Sequence, residues 1–392
     1  MPDGSSMTRS VDLLNLTVDS DLSQLAIQVV DKEPILRPRL AQIRSLLTKL
    51  QARQEFTPAR YELQGTVRAH ILPLTSCAFG KNGDCFLTGA HDNTCRLWSA
   101  SDCSEIVTMS GHTSVVFCVG FNHPFDDRVF TGSFDSSAKV WDCTGTCLST
   151  LQGHEGEVVS LAFEPQWGML ATGALDHTVR LWDVETGRTL GVFDHEGEVS
   201  SVSFEAVGNC LLTSSFDHLV RIWDRRTQTT VRVLEGHSAE VATTQFNFLG
   251  NRCVSASLDC SARLWDVASG RCEHVFTHSG EVQDACFNAS GSALAWAGHT
   301  EARVAAVSTL ESTALLGHRD EVSKVLFSAQ GGRVLTASAD CTARVWETQS
   351  GLCTQELQGH EDEVFACAFS YEADRILTTS KDNSCNIWRS TS

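Results

Sequence analysis

The pentapeptide HEGEV stands at His154–Val158 and again at His195–Val199. An imidazole between two carboxylates has the residue types of a general-base relay or of a metal site. Either would be built once. Here the constellation recurs: histidines fall at His70, His112, His154, His195, His237, His278, His318 and His360, in steps of 40 to 42 residues. In seven cases an aspartate follows 22 or 23 residues later: Asp92, Asp135, Asp176, Asp217, Asp259, Asp340 and Asp382. Six residues beyond each comes a tryptophan, at Trp98, Trp141, Trp182, Trp223, Trp265, Trp346 and Trp388. Four residues before each aspartate stands a hydroxyl: Thr88, Thr131, Thr172, Thr213, Ser255, Thr336 and Thr378. Seven copies at fixed offsets make these residues structural.

What is left offers little chemistry. The other histidines (His91, His123, His177, His218, His274 and His299) are scattered through predicted turns without a catalytic constellation. Sixteen cysteines include no CxxC pair, so neither a zinc site nor a redox pair is expected. Several, such as Cys77, Cys118, Cys286 and Cys367, read as small buried hydrophobes in a reducing cytosol. No phosphate-binding glycine motif occurs. The expectation is a non-enzyme without cofactor or metal. A net charge of −18 argues against nucleic acid or an anionic membrane as the main partner. No apolar run approaches ~18 residues, so no membrane insertion is expected. The opening MPDGSSMTRS has no apolar signal region, so secretion is not expected either.

Stretches such as VVSLAF and TVRLWD alternate as half-buried strands, and ALDHT reads as the tight turn between two of them. Four short strands per ~40 residues make a propeller blade, and the Trp-Asp endings resemble the WD-repeat family over residues 58–392. The resemblance implies a hydrogen-bonded chain of His, Ser/Thr, Asp and Trp in each blade. The sixth unit departs: His278 is followed by Trp296, Thr300 and Ala306 at the expected places. Strand periodicity persists there, so the fold expected is mainly β, an eight-bladed propeller. The chain stops four residues after Trp388, so the last blade lacks its outermost strand. Residues around 61–68 are expected to supply it and remove an open edge.

Residues 1–57 read as a small helical region. Leu40, Ile43, Leu47 and Leu50 share one face, and Arg37, Arg39, Arg44, Lys49 and Arg53 make the remainder basic. That face is either simply solvated or meets acid on the propeller or a partner.

Three residues after the scaffold histidine stand Glu157, Glu198, Glu240, Glu281, Glu321 and Glu363, with Pro73 and Val115 in the first two blades. By analogy with WD repeats, this position faces the mouth of the central channel. The carboxylates either hold loop N–H groups or form a docking surface for a basic segment. Just before the turn aspartate, blades two to five carry Phe134, Leu175, Phe216 and Leu258. An apolar arc beside an acidic ring has the composition of an interface, although packing would explain the arc equally well. Partner-binding candidates are therefore Glu157, Glu198, Glu240, Glu281, these four apolar residues, and Arg39 and Arg44.

RAHILPLTSCAF (68–79), with SVDLLNL and DKEPIL upstream and Ile387-Trp388-Arg389 at the end, resembles the outer-arm dynein assembly factors with WD repeats. The resemblance implies a monomeric adaptor linking outer-arm dynein to a subunit of intraflagellar transport complex B, in cytoplasm and cilium or flagellum. The alternative is a substrate receptor of a cullin-RING ubiquitin ligase, because LLTSSFDHLVRIWDRRT (211–227) resembles a WDxR box with Asp217, Trp223, Asp224 and Arg226.

Overall fold

The computed structural model describes residues 60–123, 125–164, 166 and 168–391, and in the segment before them residues 24, 26, 27, 43, 44 and 47. The chain divides into two units, Met1–Pro58 and Ala59–Ser392. In the first unit the described residues are helical; Leu47 is buried and Ile43 half-buried, while Arg44 is exposed.

The second unit is built of eight four-stranded antiparallel sheets. Blade 3 shows why these sequences make these strands. Its inner strand is Val158–Glu164, followed by Met169–Ala174, Thr178–Asp183 and an outer strand, Thr189–Asp194. The second strand, MLATGA, is buried on both faces, and its run of apolar and small residues suits a place between two neighbouring blades. In the third strand Val179, Leu181 and Trp182 are buried while Arg180 reaches the surface. The outer strand buries Gly191 and Phe193 and exposes the residues between them, the period-two pattern of a half-covered strand.

The turn between second and third strands is set by the aspartate. Asp176 Oδ1 accepts hydrogen bonds from the Thr178 N–H at 2.9 Å and the Thr178 hydroxyl at 2.7 Å. The intervening His177 takes a left-handed φ of 67°. Asn93, Ser136, His218, Cys260, Cys341 and Asn383 do the same in their blades. His177, His218 and, in blade 6, His299 with a φ of 46° are thus turn residues, in a conformation His tolerates better than most.

The inner strands neighbour one another in chain order, and that of blade 8 (Val364–Phe369) lies against that of blade 1 (Leu74–Phe79), which closes the ring. Blade 8 takes its outer strand from the start of the unit: Arg60–Val67 pairs antiparallel with Cys385–Thr391, from Arg60 opposite Thr391 to Val67 opposite Cys385. Tyr61 fastens this strand to blade 7. Its N–H donates to Gln355 Oε1 at 2.7 Å, and Gln355 Nε2 donates back to the Tyr61 carbonyl at 2.5 Å. The Tyr61 hydroxyl donates to the Ala373 carbonyl and accepts from Arg333 Nη1, both at 2.7 Å.

Blade 6 is a complete sheet, Asp284–Phe287, Ala293–Gly298, Glu301–Ala306 and Ser312–Leu316. Its second and third strands pair Gly298 with Glu301, leaving two turn residues, where blade 5 pairs Ser257 with Ser261 and leaves three. That deletion shifts the comparison by one residue. The counterpart of Trp265 is therefore Ala305, and the expectation of Ala306 is corrected; Ala306 is exposed. The indole has moved rather than vanished. Trp296, on the second strand at the place of Ser255, is fully buried and packs with Ala305 against Val254, Ala262 and Leu264 of blade 5. Large volume is kept at the blade interface, and the polar chain is given up.

Candidate functional site

In blade 3 the four scaffold residues form one directed chain. Trp182 Nε1–H donates to Thr172 Oγ1 at 2.8 Å, and that oxygen lies 2.6 Å from His154 Nε2. His154 Nδ1 lies 2.8 Å from Asp176 Oδ2, which also accepts the Glu155 N–H at 2.9 Å. With the ring proton on Nδ1 facing Asp176, Nε2 accepts from the Thr172 hydroxyl, whose oxygen in turn accepts from the indole. The aspartate thereby clamps the loop after the histidine. The same chain is present in blades 1, 2, 5, 7 and 8, with His Nδ1 to Asp distances of 2.8 to 3.0 Å.

Burial pushes His112 below its ordinary value despite the opposing pull of Asp135. Burial alone would raise Asp135. Hydrogen bonds from Ser137, the Thr113 N–H and His112 outweigh it and hold the carboxyl below its ordinary range. A neutral, sequestered imidazole on an ionised carboxylate is a strut, with no free lone pair for substrate.

Blade 4 has all four residues and breaks the chain. Trp223 and His195 still reach Thr213, at 2.9 and 2.8 Å. Asp217, however, is taken by Arg221 Nη1 at 2.6 Å, and His195 Nδ1 lies 3.2 Å from the Phe193 carbonyl instead. The expected pairing of His195 with Asp217 is therefore corrected. The cause lies in a neighbour. In blades 3, 5 and 7 a glycine precedes the histidine, and an added Cβ at Gly153, Gly236 or Gly317 would meet the guanidinium of Arg180, Arg263 or Arg344 at 2.8, 2.3 and 2.2 Å. Those arginines lie over the bare glycine. Blade 4 has Asp194 there, whose Cβ removes the seat. Its outer strand, Thr229–Leu234, also lacks an acid like Glu105 or Glu356, which hold Arg96 and Arg344 at 2.9 Å. Arg221 turns to Asp217.

The ring position and the turn position prove to be backbone neighbours. The N–H of Leu175, Phe216 and Leu258 donates to the carbonyl of Glu157, Glu198 and Glu240 at 2.9, 2.8 and 3.0 Å. Three carboxylates thus stand beside three apolar side chains, of which Phe216 is exposed and Leu175 and Leu258 half-buried. Phe134 sits instead beside Val115, to whose carbonyl its N–H donates at 2.9 Å. In blade 6 the link is absent among the described residues, and exposed Glu281 has no apolar turn neighbour. Glu321 accepts from Gln283 Nε2 at 2.9 Å, and Glu363 pairs with Lys381 at 3.5 Å. The carboxylates of Glu157, Glu198, Glu240 and Glu281 make no hydrogen bond or ion pair among the described residues, so holding loop N–H groups does not explain them. Of the basic candidates, Arg44 is exposed on its helix and Arg39 lies outside the described residues.

Among the described residues no group of three His, Cys, Asp or Glu could hold a metal. No described helix is long and apolar enough to cross a membrane. Burial pushes the Cys77 and Cys118 thiols up to about 12, so they stay protonated and act as small hydrophobes. Of the WDxR-like residues, Trp223 is buried, Asp217 is held by Arg221, and Asp224 accepts the Arg226 N–H at 2.7 Å within its turn.

Comparison with known proteins finds the same repeat, each match taking the outer strand of one blade with the first three strands of the next. The model of the WD domain, G-beta repeat, matches residues 61–99, 103–142, 145–183, 187–224, 228–266, 308–347 and 351–389. No match covers residues 267–307, which hold the outer strand of blade 5 and the first three strands of blade 6. The chain is similar to proteins named "Dynein assembly factor with WD repeat domains 1": 43% identical to that of Danio rerio over 128 residues, 41% to that of Mus musculus and 40% to that of Homo sapiens. Each match spans 32% of this chain and 31% of the relative, less than a third of the relative's length.

Proposed function

This chain belongs to the WD domain, G-beta repeat family, and from that membership we propose that it is a non-enzymatic protein-interaction platform acting in dynein assembly. More finely, it links outer-arm dynein to a subunit of intraflagellar transport complex B, as a monomer working in cytoplasm and in cilium or flagellum. The names of its relatives support dynein assembly as the setting. The observation that carries the platform reading is the row of unpaired carboxylates at Glu157, Glu198 and Glu240, each beside an apolar turn residue. With Glu281 they make four like charges at one position of successive blades, which repel unless countered, and a basic segment of a partner would counter them. Within the segment 1–57, Arg39 and Arg44 contribute basic side chains to partner binding. The ubiquitin-ligase reading gains nothing further, because Asp217 and Trp223 serve blade 4 itself.

Co-sedimentation of the full-length protein with purified outer-arm dynein and, separately, with purified complex B tests this. Binding to both is expected. Binding to neither overturns the adaptor reading; binding to dynein alone reduces it to an assembly factor without a transport link.

A further inference from the structure

The ring of glutamates has a gap, and the gap is apolar. Blades 3 to 8 carry glutamate three residues after the scaffold histidine, whereas blades 1 and 2 carry Pro73 and Val115. Beside Pro73, Ile71 is 80% and Leu72 46% exposed. The two corresponding positions of every other blade hold polar or small residues, such as Glu155 and Gly156 or Arg319 and Asp320. The second residue of the inner strand repeats the contrast. It is Phe117 in blade 2 and Phe365 in blade 8, both more than a third exposed, and smaller or polar elsewhere, as at Ser200, Ala242 and Ser323.

These side chains come from adjacent blades. Asn383 Nδ2 of blade 8 donates to the Ile71 carbonyl at 3.0 Å, and Thr75 Oγ1 of blade 1 donates to the Val116 carbonyl at 2.6 Å. Phe134 stacks on Phe117 with centroids 5.2 Å apart. An apolar patch therefore runs across blades 8, 1 and 2, on the face that carries the scaffold-histidine loops and the glutamates. Exposed apolar groups gathered in this way mark a contact surface. On the blade 8 flank lie Glu361, Asp362 and Glu363, the last paired with Lys381; Arg68 and His91 are exposed basic groups next to the His70 and Asp92 loops of blade 1. On the blade 2 flank the unpaired series Glu157, Glu198, Glu240 and Glu281 begins.

We propose that the patch around Ile71, Leu72 and Phe117 seats a large aliphatic or aromatic anchor of a basic partner segment, whose lysines or arginines then run over the carboxylates of blades 3 to 6. This rests on the reading above that the ring receives a basic segment, and adds where that segment is anchored and in which direction it lies. Charge complementarity selects the occupant: an acidic segment with the same anchor would meet carboxylates on both flanks.

The test uses the full chain and three labelled synthetic peptides, read by fluorescence anisotropy. One has lysines spaced by Gly and Ser with a Leu-Phe pair at one end; the second lacks the pair; the third keeps the pair with glutamates for the lysines. The anchored lysine peptide should bind roughly tenfold tighter than the unanchored one, the worth of one buried apolar side chain. The double variant Ile71→Ser, Leu72→Ser should remove that difference and leave the unanchored peptide's affinity within about twofold. Equal binding of both lysine peptides overturns the anchor while leaving the ring reading intact. Binding of neither overturns both. Equal binding of the glutamate peptide overturns the choice of a basic occupant. Sedimentation showing a dimer that the double variant dissolves would instead make the patch an interface between copies.

Discussion

Asp194 is one residue with consequences for three. By filling the place that glycine holds in its neighbours, it evicts Arg221, which captures Asp217 and strips His195 of its carboxylate. Burial, helped by Arg221, then lowers His195 to about 4. Above the unfolded value of about 6.5 both states are neutral and this residue adds no pH dependence. As pH falls from about 6.5 towards 4, the unfolded chain binds a proton that the folded chain refuses, and stability drops by on the order of 3 kcal/mol. His70, His112, His237, His278 and His360 are also lowered, chiefly by burial, and push in the same direction. Urea unfolding at pH 7.5 and pH 5 should therefore show a marked loss in acid. Asp194→Gly should reseat Arg221, restore the His195 to Asp217 bond and raise the His195 titration midpoint in an NMR titration. An unchanged midpoint would mean that residue 194 is not the cause. The scaffold residues were legible in the sequence because each stands at a fixed offset. Their failure in blade 4 was not, because all four are present and the cause lies outside them, in residue 194 and an outer strand without an acid.

Among the elements, blade 6 shows that a sheet outlives its polar chain. The strand pattern announced a blade, but one deleted turn residue hid which side chain replaces which. Trp296 now fills the interface from the second strand, so Trp296→Ala should cost ~3–5 kcal/mol, as Trp182→Ala should. Ala306→Ser, at the exposed position, should change stability by less than about 0.5 kcal/mol. Neither ring nitrogen of buried His278 has a hydrogen-bond partner among the described residues, and the Glu301 carboxylate is 3.7 Å away. His278→Leu should therefore be neutral or stabilising, whereas His237→Leu should cost about 1–3 kcal/mol by stranding Ser255 and Asp259. Equal losses at the two histidines would contradict this description of blade 6. The outer strand of blade 8 is a second case. Its place in the order could be read from the missing last strand, but its fastening could not, because Tyr61 and Gln355 are 294 residues apart. Gln355→Ala should speed amide exchange along residues 61–67 well before the rest of blade 8, and exchange rising everywhere together would show that the strand is held by pairing alone.

At the scale of the molecule, repetition made the fold readable and made the candidate site hard to read. Eight units at near-constant spacing specify a closed ring, since each buries its faces only against its neighbours. The same repetition multiplies every glutamate, whether it serves the loop or a partner. Contacts separated the cases: Glu321 and Glu363 are engaged by Gln283 and Lys381, and Glu157, Glu198, Glu240 and Glu281 are not. The gap at blades 1 and 2 was visible as Pro73 and Val115, but the exposure of Ile71, Leu72 and Phe117 needed the fold.

The account stands most directly on the variant with Glu157, Glu198, Glu240 and Glu281 all changed to glutamine. Size is kept and charge removed, so the melting temperature should hold. Affinity for purified complex B should fall between 50 and 150 mM salt by much less than it does for the native chain, because the screened attraction is gone. Native affinity with a native salt slope would contradict the account, and so would a variant that fails to fold.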